Sequence, residues 1–219
     1  MPLVVLWERA GVLAIDKPAG LPSTGRTLDD PRCAQHELAS QLGGSVWALH
    51  QLDAETSGVL LFARRRSLVA SWQDRLKPPS ATKRYLAITH GAPSEQIVRA
   101  PLGYDERARR WRVASGGKNA ESALRVLAST GKHALVEVEL RTGRTHQARV
   151  HLAHVGCPIV GDKRYCDIAT PSHPRHALHA HSLELALPDG TLRIVAPLPE
   201  DLRALARALG LDGIHNING

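Results

Sequence analysis

Residues 183–195 read LELALPDGTLRIV, in which two short apolar-rich runs, 183–187 and 191–195, stand on either side of Pro188-Asp189-Gly190. An Asp-Gly pair tolerates the positive φ of a tight antiparallel turn, so the stretch reads as a β-hairpin. The start of the chain repeats the device. The β-prone runs 4–6 and 12–16 are separated by a polar turn ending in Gly11, and the second run is closed by the punctuating Lys17-Pro18-Ala19-Gly20. Further strand-like runs fall at 59–63, 84–89, 122–127 and 134–140. Four helices are expected between them. Asp30 as N-cap, Pro31 at the first helical position, Leu38 and Leu42 four apart and Gly43 beyond the end outline the first. Ser67 caps the second, whose Leu68, Val69, Trp72 and Leu76 share a face until Pro78-Pro79 stops it. Residues 145–155, ended by Gly156, make the third, and 199–209, ended by Gly210, the fourth. Hairpin-linked strands with irregularly interspersed helices argue for an α+β architecture with a mainly antiparallel sheet, and against a regular doubly wound fold.

The chain has 219 residues, enough for a substantial core, and no internal repeat or low-complexity stretch divides it, so one compact unit is expected. Lys plus Arg number 28 against 21 Asp plus Glu, a formal charge of +7, which favours a polyanionic partner such as nucleic acid. Aromatic residues are only 4%, so the core must be built from Leu, Val and Ala. Three cysteines, Cys33, Cys157 and Cys166, cannot make a disulfide framework and point to a reducing compartment. The first twenty residues lack a basic segment followed by a long apolar one, and no run approaches the ~18 apolar residues of a membrane span. A soluble cytoplasmic protein is expected.

The chemistry concentrates in LHQLDAETSGVLLFA, residues 49–63, where a polar, turn-prone patch breaks directly into an apolar strand. Asp53 therefore belongs to a loop at a strand's edge. Such a carboxylate can serve as nucleophile, base or metal ligand, or can simply cap nearby amides, and local pattern does not choose. The motif His50-x-Leu52-Asp53-x-x-Thr56-Ser57-Gly58 resembles the catalytic signature of the RluA-type family of pseudouridine synthases. Four further blocks keep that family's order: Lys17-Pro18-Ala19-Gly20, then Lys83-Arg84-Tyr85 with Ala87, then GRTHQARVHLAHVGCPIVGDKRY at 143–165, then Leu178-His179-Ala180. The resemblance extends over about residues 4–197.

The resemblance implies an α+β catalytic domain whose long, mixed, mostly antiparallel sheet carries flanking helices and a central RNA-binding cleft. It implies a domain over 1–210 without a separate N-terminal module of the S4 type; residues 211–219 have no clear pattern and read as a flexible tail. It further implies isomerisation of uridine to pseudouridine in ribosomal or transfer RNA: the base is flipped out, its N1 glycosidic bond is broken, and it is rejoined through C5. No cofactor and no metal are implied. Asp53 is the implied catalytic carboxylate, attacking ribose C1′ or uracil C6 or abstracting a ribose proton. Arg144 is its implied cationic partner, and Tyr85 the ring that stacks on uracil and assists proton removal from C5. The residues assigned to substrate binding are His50, Gln51, Thr56, Arg149 and Trp111. Gln51 departs from the family pattern, which has Arg between the His and the Leu, and this puts flipping or substrate choice in question.

Basic clusters at Arg64-Arg65-Arg66 and in RARRWR, residues 107–112, fit a surface that tracks phosphates, with Trp111 either a stacking platform or packed inward. Leu152 reads as packing rather than site. Three readings compete with the enzymatic one. His173, His176, His179 and His181 with Cys157 and Cys166 invite zinc, but the spacing matches no standard site. Asp53 with Glu55 as glycosidase carboxylates would be poorly placed to flank a sugar. A non-enzymatic RNA-binding or RNA-folding module with a drifted active site rests on Gln51 alone. The expected partner is structured RNA, without a membrane, and the expected state is a monomer.

Overall fold

The computed structural model describes residues 2–25, 30–168 and 173–211. In chain order the elements are β1 (Val4–Arg9), β2 (Val12–Lys17), α1 (Ala34–Leu42), β3 (Trp47–Ala48), β4 (Ser57–Ala63), α2 (Val69–Arg75), β5 (Ala81–His90), β6 (Gln96–Arg99), β7 (Leu102–Asp105), β8 (Arg110–Val113), β9 (Glu121–Ser129), β10 (His133–Leu140), α3 (Gln147–His154), β11 (Leu178–Leu187), β12 (Gly190–Val195) and α4 (Glu200–Ala208). Contacts group the chain into two compact units. One comprises Met1–Thr82 and Ala180–Pro197, the other Lys83–His179 and Leu198–Gly219.

In the first unit β1 and β2 pair antiparallel from Val4↔Asp16 to Arg9↔Val12. Their two-residue turn has Ala10 and Gly11 at φ 51° and 80°, the backbone that matches the twist of a hairpin. The hairpin read at the end of the chain is there too, with Ser182↔Val195 to Leu187↔Gly190 in register. β2 pairs β4 antiparallel from Val12↔Ala63 to Lys17↔Gly58. Alternate residues Val12 and Ala14, Val59 and Leu61, and Leu183 and Leu185 turn into one core with Leu49 and Ile194, as the two-residue period of a strand requires. All seven residues of β4 are buried, which explains why its sequence is a continuous apolar run rather than an alternation. Gly58, at φ +113°, is demanded by a close approach: a Cβ there would stand 2.2 Å from the Ala180 carbonyl oxygen.

In the second unit β5, β10, β9 and β6 lie side by side, with antiparallel registers running through His133↔His90, Val138↔Leu124 and Val98↔Ser122. α3 contributes Ala148 and Leu152 to the core, and α4 contributes Leu202 and Ala206. Leu152 is fully buried there, as packing. Leu211, the first residue of the expected tail, is 1% exposed and packs in the same core, while 212–219 lie outside the described residues. β7 and β8 form a separate two-stranded sheet.

Several expected boundaries move. α1 begins at Ala34 with Cys33 as N-cap, its sulfur accepting the His36 N–H at 3.4 Å. Asp30 instead accepts the Arg32 N–H, a local turn that competes with capping. Ser67 lies inside a 3₁₀ turn, Arg66–Leu68, that leads into α2, and no side chain caps that helix. β6, β7 and β8 are absent from the pattern of strand-like runs in the sequence.

Candidate active site

The first unit carries Asp53 on the loop that enters β4. Several bonds fix that loop. Lys17, at the end of β2 and 0% exposed, donates from Nζ to three carbonyls: Pro18 at 2.8 Å, Leu21 at 2.7 Å and Ala54 at 2.9 Å. The Gly20 N–H adds a bond to the same Ala54 oxygen at 2.9 Å. Ser23 Oγ accepts the Leu52 N–H and donates to the Leu52 carbonyl, both at 2.8 Å. The Thr56 N–H closes a turn on the Asp53 carbonyl at 3.0 Å. Asp53 thus stands between two anchored residues, half-buried, with its loop tied to the segment immediately after β2. A buried ammonium is tolerable here because its donors meet carbonyl oxygens in place of water.

The other expected residues of this unit sit close by in the chain but in different surroundings. His50 Nε2 accepts the Leu61 N–H at 3.3 Å. Gln51 is exposed and its amide nitrogen donates to Thr24 Oγ1 at 3.2 Å. Thr56 is 2% exposed. Asp16, on β2 beside Lys17, has its carboxyl pushed up to about 6 by burial, against the opposing pull of the Lys17 charge.

Tyr85, Trp111, Arg144 and Arg149 belong to the second unit. Tyr85 is half-buried on β5 opposite Val138 and packs on the core. Two residues before it, burial pulls the Lys83 ammonium below its ordinary value. Arg144 lies exposed in the turn before α3, its Nε donating to the Asn119 carbonyl at 2.9 Å. That turn is held by Gln147, which is 2% exposed. Its Oε1 accepts the Arg144 N–H at 3.0 Å and Thr142 Oγ1 at 2.7 Å, and its Nε2 donates to the Glu121 carbonyl and Ser122 Oγ. All four hydrogen-bonding valences of the amide are used.

Arg149, expected to touch RNA, is held by a carboxylate. Its Nε and Nη2 donate to the two Asp162 carboxylate oxygens at 2.7 and 2.8 Å, and the Asp162 side chain is fully buried. That pairing, with further hydrogen bonds and charges, holds the Asp162 carboxyl below the usual carboxylate range despite its burial. Trp111 is half-buried against Leu102, Ala120 and Val150. It meets the Tyr104 ring edge-on at 5.5 Å.

Among the described residues, no three His, Cys, Asp or Glu side chains are grouped to hold a metal ion. His173 Nδ1 bonds the Arg175 carbonyl and His181 Nδ1 the Ala196 carbonyl, so both rings serve backbone. No helix among the described residues is long and apolar enough to cross a membrane.

The sequence profile of the RNA pseudouridylate synthase family matches residues 11–154. The chain belongs to this family. An uncharacterized RNA pseudouridine synthase of Chloroflexus aurantiacus is 39% identical over 208 residues, covering 89% of this chain and 65% of that one. Ribosomal large subunit pseudouridine synthase D of Xanthomonas campestris pv. campestris is 35% identical over 241 residues, covering 97% and 71%. Among solved structures, human RNA pseudouridylate synthase domain containing 4 superposes with a TM-score of 0.79 at 27% identity, covering 95% of this chain and 94% of that one. Membership in the RNA pseudouridylate synthase family makes the protein an isomerase acting on RNA, with the α+β fold of its relatives. Ser23 does not stand out in the sequence as a functional residue, whereas Lys17 and Gln147 lie within the quoted blocks at 17–20 and 143–165 without a role being legible for them there.

Proposed function

We propose that the protein isomerises uridines of ribosomal or transfer RNA to pseudouridine, with residues 1–210 as its catalytic domain and Asp53 as its catalytic carboxylate. The N1–C1′ bond breaks, a C5–C1′ bond forms, the C5 proton leaves and N1 regains one, so the reaction balances without redox chemistry, cofactor or metal. Asp53 attacks C1′ or C6 or removes a ribose proton; each route needs it ionised and held still beside the flipped nucleotide. Arg144 is the cationic residue assigned to the reaction, and Tyr85 stacks on the uracil and assists removal of the C5 proton. His50 and Thr56 shape the catalytic loop, and Gln51 meets the RNA from its exposed place on that loop. Arg149 acts through Asp162 rather than on RNA directly.

The observation that carries this reading is the immobilised Asp53 loop, in which buried Lys17 and Ser23 grip the residues on both sides of the carboxylate. A loop serving only to cap amides has no need of a buried ammonium. Ribosomal RNA is the favoured substrate, since the Xanthomonas relative is a ribosomal large subunit pseudouridine synthase. The formal charge of +7 suits such a partner, and the protein acts in the cytoplasm as a monomer. The exposed Gln51 favours the second reading, an RNA-binding module with a drifted site. Single-nucleotide mapping of pseudouridine in ribosomal and transfer RNA, from cells with and without the protein, tests the proposal. Loss of at least one modified position, restored by wild type and not by Asp53→Asn, is expected; identical maps refute it.

A further inference from the structure

Several groups of the second unit converge on Tyr165. Its hydroxyl lies 2.7 Å from His146 Nδ1 and accepts the backbone N–H of Trp111 at 3.3 Å. Its ring meets the His146 ring edge-on, with centroids 5.7 Å apart. The Arg149 guanidinium lies 4.9 Å from the ring centroid, where the ring's quadrupole attracts a cation. Arg149 is in turn held by Asp162, whose Oδ1 also accepts the N–H groups of Arg164 and Tyr165. One bond more joins this loop to β8: Arg110 donates to the Arg164 carbonyl at 3.1 Å.

A backbone amide only donates, so the phenolic oxygen accepts from Trp111, and its short contact with His146 Nδ1 is a hydrogen bond whose donor follows the imidazole tautomer. Burial pushes the Tyr165 phenol up, so the hydroxyl keeps its proton across the physiological range. His146 has φ +56° without being glycine, a backbone choice that persists only where its surroundings hold it. Tyr165 is a side chain bonded to that residue.

Tyr165 therefore touches two segments at once. One is the turn with Arg144, Thr145 and His146. The other is the β7–β8 hairpin, whose tip and second strand carry Arg107, Arg109, Arg110 and Arg112. Hairpin arginines that must be ordered at each encounter bind more weakly than arginines already in place, because the ordering entropy is charged against affinity. We infer that Tyr165 is a positioning residue for RNA binding, locking the Arg144 turn and the arginine-rich hairpin into a single phosphate-binding surface. This inference rests on the RNA reading above and adds to it a residue that touches neither base nor sugar.

The test is Tyr165→Phe, which keeps the ring and its Arg149 contact and deletes only the hydroxyl. Binding of a fluorescently labelled, in vitro transcribed ribosomal RNA fragment is measured by anisotropy in the Asp53→Asn background, between about 50 and 200 mM salt. Affinity is expected to fall about tenfold, and the slope of log K against log salt to become shallower by about one, the signature of a lost phosphate contact. With Asp53 restored and RNA tritiated at uridine C5, KM rises by a similar factor while kcat stays within about twofold of wild type. A weaker affinity with an unchanged salt slope, accompanied by a drop in melting temperature, overturns the inference in favour of a structural role; so does an unchanged KM. His146→Phe cuts the same bond from the other side and gives the same answer where Tyr165→Phe does not fold. Wild-type tritium release reports on the enzymatic reading separately: a silent wild type whose salt slope still depends on Tyr165 overturns that reading and supports this one.

Discussion

Lys17→Met tests the support of the Asp53 loop most sharply. Methionine fills nearly the same volume, so packing in the first unit is preserved and only the ammonium is lost. Three carbonyls, those of Pro18, Leu21 and Ala54, lose the ammonium as donor, and Ala54 keeps only the Gly20 N–H. Hydrogen bonds to a charged group contribute about 1.5 kcal/mol or more each, so three amount to roughly 4–5 kcal/mol. Relief from burying a charge offsets part of this, leaving a net loss of about 3 kcal/mol. For a chain of this size each kcal/mol lowers Tm by about 2–4 °C, so a drop of about 6–12 °C is expected by circular dichroism. The effect on chemistry is separate. With Ala54 held by the Gly20 N–H alone, the loop is loosened at the carboxylate, and a displacement of about 1 Å lowers turnover about a hundredfold. Single-turnover release of tritium from uridine C5, measured well below the variant's Tm, reads this directly. A folded Lys17→Met protein with wild-type turnover and a Tm within about 2 °C of wild type would show that the clamp supports neither loop nor chemistry.

Other perturbations act on the same geometry. Gly58→Ala drives a Cβ into the Ala180 carbonyl and strains a positive φ. It is expected to cost about 3 kcal/mol or more and to emerge as insoluble or strongly destabilised protein; a Tm equal to wild type refutes the packing. Asp16 has a native carboxyl pushed up to about 6 from 3.8, so between these values the folded state binds more protons than the unfolded one. Stability therefore falls as pH rises through that window, and the penalty is complete above about 6. Two pKa steps correspond to ~3 kcal/mol at most, and partial exposure of the side chain reduces this to about 1 kcal/mol. Asp16→Asn should gain that amount at pH 8 and flatten the pH dependence of denaturant midpoints; an Asn variant with the same slope between pH 4 and 6 counts against the assignment. Gln51→Arg places the family pattern's residue at an exposed position of the Asp53 loop and should keep or raise turnover. Complete inactivation of a folded Gln51→Arg protein would show that this position works differently here.

The legible parts of the sequence were local. The 188–190 turn and the Gly11 turn each specify a backbone conformation within a few residues, and the hairpins they predict are present in register. Helices α3 and α4 fall within a residue or two of their expected limits because Gly156 and Gly210 stop them. The parts that could not be read depend on partners distant in sequence. β6 is four residues of mixed polarity, a strand only because β9 offers an edge. β7 and β8 carry so many arginines that they read as a solvated turn, although Leu102 and Val113 face a small core.

The same distinction runs through the site. Asp53 is proposed because its motif is contiguous, and Tyr85 and Arg144 because they fall within the family's ordered blocks. Lys17 read as turn punctuation and as the start of a family block, and nothing in KPAG announces that residue 54 lies within reach of its ammonium. Arg149 read as an RNA contact because its partner, Asp162, lies thirteen residues further on and only the fold brings the two together. Thr56 read as substrate-facing, yet it is almost wholly buried.

The central claim is that Asp53 on its anchored loop isomerises uridine in RNA. Its most direct test is tritium release from ribosomal and transfer RNA labelled at uridine C5 and prepared from cells lacking the protein, with wild type and Asp53→Asn assayed side by side. Release by wild type and none by the folded Asp53→Asn variant is the predicted result. Equal release by both proteins contradicts the assignment of Asp53, and release by neither, despite salt-sensitive RNA binding, contradicts catalysis itself.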